Sequence, residues 1–176
     1  MSKKVLVTYA SRTGTTAGVA QAIGETLAES GAEVDVMPVD EVKELATYGA
    51  VVAGSAIQEG QWLPEALQFI QENEAALNHK PFAAFLVCIT MAMSGADNYR
   101  QAVVEWMQPV RARVRPVSEG LFAGALDIDR IPSLGNRLKF RLAVLSGVWK
   151  EGDHRDWDAI HEWASTLPPL LGLSQT

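Results

Sequence analysis

Six residues near the amino terminus concentrate the chemistry of this chain: Ser11-Arg12-Thr13-Gly14-Thr15-Thr16. They lie between an apolar run, Lys4–Tyr9, and a segment of helical period, Thr15–Ser30. A loop that leaves a strand and enters a helix carries unpaired backbone N–H groups and the positive end of the helix dipole. Such a loop is an anion site by construction. Gly14 permits a sharp turn or a close backbone approach. The hydroxyls of Ser11, Thr13 and Thr16 add donors for phosphate oxygens, and Arg12 either adds charge or points to solvent. A plain helix cap is the competing account, since serine and threonine are ordinary N-cap residues. Four hydroxyls in six residues favour phosphate.

Other phosphate chemistries are missing. No Gly-x-x-x-x-Gly-Lys-Ser/Thr and no Gly-x-Gly-x-x-Gly occurs, which removes nucleoside triphosphatases and the dinucleotide fingerprint. Cys88 has Ser94, not arginine, six positions on, so it lacks a phosphatase-type cradle. His79, His154 and His161 show no metal or triad spacing, so no metal is predicted. No acid–base catalyst declares itself.

The elements that must position this loop alternate along the chain. Strands are expected at Lys4–Tyr9, Glu33–Val39, Tyr48–Ser55, Phe82–Thr90 and Val117–Leu126. Helices are expected at Thr15–Ser30, Pro64–Leu77, Asp97–Arg113 and Asp156–Leu167. Val19, Ala20, Ile23 and Leu27 mark the inward face of the first helix. Alternation of this kind implies parallel βαβ units with right-handed crossovers and helices on both sheet faces. Near-continuous apolar strands such as Ala83–Ile89 agree with burial on both sides. Ligands of such sheets bind beyond the carboxyl ends of strands, where strand order reverses.

One segment departs from the alternation. Within residues 127–150, Ile131–Trp149 reads as an additional helix. Leu134, Leu138, Leu142, Leu145 and Trp149 share one face, and Arg137, Lys139, Arg141 and Lys150 accompany them. No acidic residue occurs between Arg130 and Lys150.

Ser11-x-Thr13-Gly14-x-Thr16 resembles the Ser/Thr-x-Thr-Gly-x-Thr loop of flavodoxins, and it stands where that family has it, directly after strand one. The resemblance covers nearly the whole chain as a single domain, 1–176. It implies an α/β fold with a five-stranded parallel sheet in the order 2-1-3-4-5, to which the segment above adds a helix inserted after strand five, and FMN as cofactor, its phosphate held by Ser11–Thr16 with Arg12 and Thr15. The first flavin-covering loop then corresponds to residues 54–62, with Ser55, Ala56, Ile57, Gln58, Gly60 and Trp62. Trp62 is either the residue stacked on the ring or a helix-entry residue packed before Pro64; Ile57 and Ala56 are the other candidates for contact. The second corresponds to Thr90–Tyr99, with Thr90, Met91, Ala92 and Gly95. It offers two methionines where small electron carriers commonly place a tyrosine. Those methionines either give an adaptable apolar surface or bury against the sheet edge.

The segment after strand five, together with Arg12 in the loop, resembles the menaquinone-dependent protoporphyrinogen IX dehydrogenase branch of the superfamily. That branch implies oxidation of protoporphyrinogen IX, with electrons passing through FMN to a quinone in heme biosynthesis. Physically, the inserted helix can wall an apolar pocket with Arg137, Lys139 or Arg141 meeting propionates. It can lie on an anionic membrane, or cover a bare sheet edge or a homodimer contact. The alternative to an enzyme is a shuttle that docks basic redox protein partners.

Composition bounds these readings. The 176 residues suffice for one domain with a substantial core. A formal charge of −6 argues against a general nucleic-acid binder. Residues 1–80 carry 5 basic and 11 acidic side chains, and the remainder carry 10 of each. One cysteine and no membrane-length apolar run suggest the cytoplasm, with peripheral membrane contact at most. The amino-terminal apolar run is too short for a signal peptide.

Overall fold

The computed structural model describes residues 3–93 and 95–173; Ser94, in the expected second covering loop, lies outside the described residues. Among the described residues, eight strands and seven α-helices follow in chain order: β1 (Lys4–Ala10), α1 (Thr15–Glu29), β2 (Glu33–Pro38), β3 (Ala50–Gln58), β4 (Gln61–Trp62), α2 (Pro64–Glu72), α3 (Glu74–Leu77), β5 (Phe82–Cys88), α4 (Arg100–Glu105), α5 (Gln108–Arg111), β6 (Ser118–Ala123), β7 (Ala125–Leu126), α6 (Leu134–Leu145), β8 (Gly152–Asp153) and α7 (Trp157–Leu170). Five strands run parallel in the order β2-β1-β3-β5-β6. Counting parallel strands alone, this is the expected 2-1-3-4-5. The order reverses at β1, so the loops after β1 and β3 flank the switch point.

Strand side chains alternate between two cores. Leu6, Val51, Ala53, Ala84 and Leu86 meet α2, α4 and α5 through Phe69, Ile70, Val103, Met107 and Val110. Val5, Val7, Val52, Phe85 and Val87 meet α1 and α7 through Val19, Ile23, Leu27, Ile160 and Leu167. Burial on both faces is why β5 is buried at every residue. Gly54 is required by this packing: a Cβ there would lie 2.1 Å from the Phe85 ring.

Three expectations at the sheet's carboxyl edge are corrected. β3 does not stop at Ser55 but runs to Gln58, then turns back into β4, pairing Ile57 with Trp62. The two-residue turn, Glu59 and Gly60, has positive φ at both positions (53° and 75°), the backbone that a tight hairpin needs. Strand β6 ends at Ala123, and the next residues form β7, which pairs antiparallel with β8. This ribbon closes the base of the inserted segment. The inserted helix itself spans Leu134–Leu145, shorter than Ile131–Trp149, and contains no buried residue.

The leucines of α6 do not cover the sheet edge. Leu134, Leu138, Leu142 and Leu145 are 78, 61, 59 and 83% exposed. The opposite face carries Phe140, whose ring stacks on Trp149 with centroids 4.7 Å apart and planes at 28°. Trp149 therefore departs from the leucine face on which its spacing had placed it.

Candidate functional site

The phosphate-type loop is built around Gly14, which adopts φ 85° and ends the turn into α1. Its N–H donates to Ser11 Oγ at 3.0 Å, and the Thr13 and Thr15 hydroxyls lie 3.3 Å apart. No side chain caps α1, so its first-turn N–H groups and dipole remain directed at the loop. An anionic group fits there: the donors are present and the helix supplies no carboxylate of its own in the first turn.

This loop opens into a cavity of about 340 Å³. Ser11, Arg12, Thr13, Thr15 and Thr16 line one end; Ala56, Ile57 and Gln58 form a wall; Val87, Cys88 and Ile89 lie at the end of β5. The remaining boundary comes from residues 124–127 and from Ile131, Pro132, Ser133, Asn136 and Phe140 of the inserted segment. A polar, donor-rich end joined to an apolar slot fits a flat apolar ring carrying a phosphate. The volume lies near the lower end of the roughly 300–1,000 Å³ of small-molecule sites, room for one such ligand.

Arg12 is not a free cation. It forks onto Glu65 in the first turn of α2 through Nη1 and Nη2, the second contact at 3.0 Å. The hydrogen bond from Arg12 holds the Glu65 carboxyl below its ordinary range. The pair braces the loop against α2 while Arg12 still borders the cavity. A second arginine, unforeseen in the sequence, works from behind. Arg155 forks onto Asp153 at 2.8 and 2.6 Å, donates to the Thr15 carbonyl at 3.3 Å and covers the Trp157 ring at 4.5 Å. It ties the β7–β8 ribbon to the start of α1.

Several expected contacts are made elsewhere. Ser55 is fully buried; its hydroxyl accepts from the Leu63 N–H at 2.9 Å and donates to the Ala56 carbonyl at 2.7 Å, securing the entry to α2. Trp62 is 2% exposed and belongs to the α2-side core rather than to the cavity, because the β3–β4 pairing turns it inward. Gly60 sits at the hairpin tip beside Trp106. Thr90, Met91 and Ala92 lie in a short 3₁₀ turn, Ile89–Ala92, and Met91 packs against the core; Gly95 forms a turn with φ 76°. None of these residues lines the cavity.

The basic residues of α6 also stand away from it. Arg137 donates through Nε to the Ile131 carbonyl at 2.5 Å, Lys139 is exposed, and Arg141 pairs with Asp129 at 3.3 Å on the surface. Asn136 and Phe140 take the inward positions instead. The sequence signal for that inward face was available: Asn136, Phe140 and Ala143 fall opposite the leucines at 100° per residue. Cys88 lines the cavity, but burial raises its thiol to about 11 despite N–H groups of Met91 and Thr90 that favour the thiolate. It is a neutral wall at physiological pH. No group of His, Cys, Asp or Glu able to hold a metal occurs among the described residues.

The sequence of residues 6–146 matches the family model described as a flavodoxin domain. No curated protein matches the sequence. Among solved structures, the fold is similar to a flavodoxin from the domain Archaea (TM-score 0.58, 20% identity, 96% of this chain and 99% of that one). It is similar to the flavodoxin of Streptococcus pneumonia TIGR4 (0.57, 18%, 94% and 98%). It also resembles 37% of the rubredoxin oxygen:oxidoreductase of Desulfovibrio gigas (0.51, 17%, 96% of this chain). At these identities the structures speak for the fold, while the family model speaks for descent: the chain belongs to the flavodoxin-domain family, whose cofactor is FMN.

Proposed function

We propose that this chain is an FMN-dependent redox enzyme that oxidises an amphipathic donor of the protoporphyrinogen IX class and delivers the electrons to a lipid-soluble quinone. The observation that carries the proposal is the two-faced inserted helix. Its inner side walls the cavity through Asn136 and Phe140, and its outer side presents four exposed leucines beside Arg137, Lys139 and Arg141. A protein that only exchanges electrons with soluble partners has no evident need of such a surface.

FMN supplies the redox chemistry when bound, and the protein holds and tunes it. Ser11, Thr13, Thr15 and Thr16 would hold its phosphate, and Ala56, Ile57 and Gln58 would border the ring. With α6 in place the cavity takes one ligand, so the donor would meet the assembled site at its rim. The cations of α6 stand outside, where carboxylates of an amphipathic donor or anionic lipid headgroups are reached without desolvating the guanidinium groups.

The alternative is an electron shuttle. Its support is the charge of residues 1–80, 5 basic against 11 acidic side chains, which suits docking of a basic redox protein. The deciding experiment is anaerobic turnover of protoporphyrinogen IX with a menaquinone analogue by the flavin-loaded protein. The enzyme reading expects sustained porphyrin formation. No turnover, together with rapid reduction by a ferredoxin reductase, would establish the shuttle instead. The shared premise has its own check: the purified protein should be yellow, and Thr13→Ala with Thr16→Ala should weaken FMN binding.

A further inference from the structure

The flavin-covering loops of this chain leave the cavity without an aromatic side chain. Trp62 is turned into the core, and Tyr99, 45% exposed, lies outside the cavity. Among the described residues that line the cavity, the one aromatic is Phe140. Phe140 is also the residue through which α6 reaches inward, and it is held in place from behind by the stacked ring of Trp149 at 4.7 Å.

The helix that presents it has little else to hold it. No residue of α6 is buried. Its tethers are Ser133 Oγ accepting from the Asn136 N–H at 3.4 Å, the Arg137–Ile131 bond and the exposed Arg141–Asp129 pair. Exposed pairs of this kind contribute little. A 12-residue helix is marginal without tertiary packing. A flat apolar surface in the cavity would give Phe140 the contact that α6 otherwise lacks.

Resting on the FMN reading above, we propose that Phe140, steadied by Trp149, is the aromatic wall of the flavin ring. The inserted helix thus takes over the stacking role, and occupancy of the site orders α6. The ring lies between Phe140 and the Ala56–Ile57 wall, with the phosphate on the Ser11–Thr16 loop. An aromatic face opposite a ring adds an attraction beyond buried area alone, and a ring already fixed by a neighbour loses little freedom on binding.

The experiment titrates the full chain with FMN and with riboflavin, which has the ring and lacks the phosphate. Phe140→Ala should weaken both ligands roughly 3- to 10-fold, the size of one aromatic contact. Phe140→Tyr should keep wild-type affinity and quench the fluorescence of the bound flavin more strongly than the wild type, since tyrosine donates an electron to an excited flavin and phenylalanine does not, whereas Phe140→Leu should weaken binding. Trp149→Leu should weaken both flavins less than Phe140→Ala. Hydrogen exchange in residues 134–145 should slow when FMN binds the wild type, and not when it binds Phe140→Ala. Unchanged or tighter binding by Phe140→Ala, or restoration by leucine, would overturn the proposal while leaving the FMN reading intact. Failure of the wild type to bind either flavin would overturn both. Far-UV circular dichroism confirms that the variants fold, as substitution at a helix with no buried residue allows.

Discussion

Arg12, in the loop between β1 and α1, is restrained by an acid that its own sequence neighbourhood does not reveal. Glu65 lies 53 positions from Arg12 and meets it only because α2 begins beside the loop. Glu65→Gln should therefore release the guanidinium toward the bound phosphate. The expected result is FMN binding several-fold tighter at low salt, with the gain shrinking as salt screens the added charge. Equal affinity at every salt concentration would place Arg12 beyond the phosphate's reach. The pair also predicts a pH effect. The folded pKa of Glu65 is lowered by Arg12, so its contribution to stability is present above the ordinary value of 4.5 and is lost as pH falls through the lowered folded value. For a pair this exposed it amounts to at most about 1 kcal/mol. Urea midpoints measured from pH 7 to pH 3 should fall more steeply for the wild type than for Glu65→Gln.

At the scale of elements, strands reveal themselves in the sequence more faithfully than helices and turns. Strands covered on both faces must be apolar throughout, and Ala83–Ile89 announces that directly. The helix expected over Asp97–Arg113 is instead a 3₁₀ turn, Ala96–Tyr99, followed by α4 and α5. Pro109 cannot donate within a continuous helix, and it stands in the first turn of α5. Pro64–Leu77 divides at Asn73, whose side-chain amide donates to the Phe69 carbonyl at 2.8 Å. Conversely, α7 runs past Pro168 and Pro169 to Leu170, because the core on its inner face includes Leu167 and Leu171. The turn at Ser11–Thr16 was legible because local donors define it. The rest of the cavity was not, because it depends on a hairpin that turns Trp62 inward and on which face α6 presents. The tight β3–β5 contact gives an element-scale prediction. Gly54→Ala should destabilise by about 1–3 kcal/mol through the clash with Phe85, lowering the melting temperature by roughly 3–10 °C for a chain of this size. A melting temperature unchanged within 1 °C would show that Phe85 yields freely.

Across the whole molecule, charge and apolar exposure are separated. The acidic excess belongs to residues 1–80, while the interval between Arg130 and Lys150 holds no acid and carries the exposed leucines. No helix among the described residues is long and apolar enough to cross a membrane. An interfacial helix gains from inserting its apolar face and from cations beside anionic headgroups, about 1 kcal/mol per Lys or Arg near the surface. Among the described residues, Arg137 and Lys139 have no carboxylate partner, and Arg141 is held by an exposed pair with Asp129. The protein should cosediment with vesicles of phosphatidylcholine and phosphatidylglycerol, and far less with phosphatidylcholine alone. Binding should weaken as salt rises, because the attraction of exposed charges is screened. Leu138→Glu with Leu142→Glu should abolish vesicle binding and leave FMN affinity unchanged, since both side chains point away from the cavity. Retained binding in that double variant would remove α6 from the membrane contact. If instead the wild type sediments as a dimer without lipid and the same two substitutions make it monomeric, the leucine stripe belongs to a second copy of the chain.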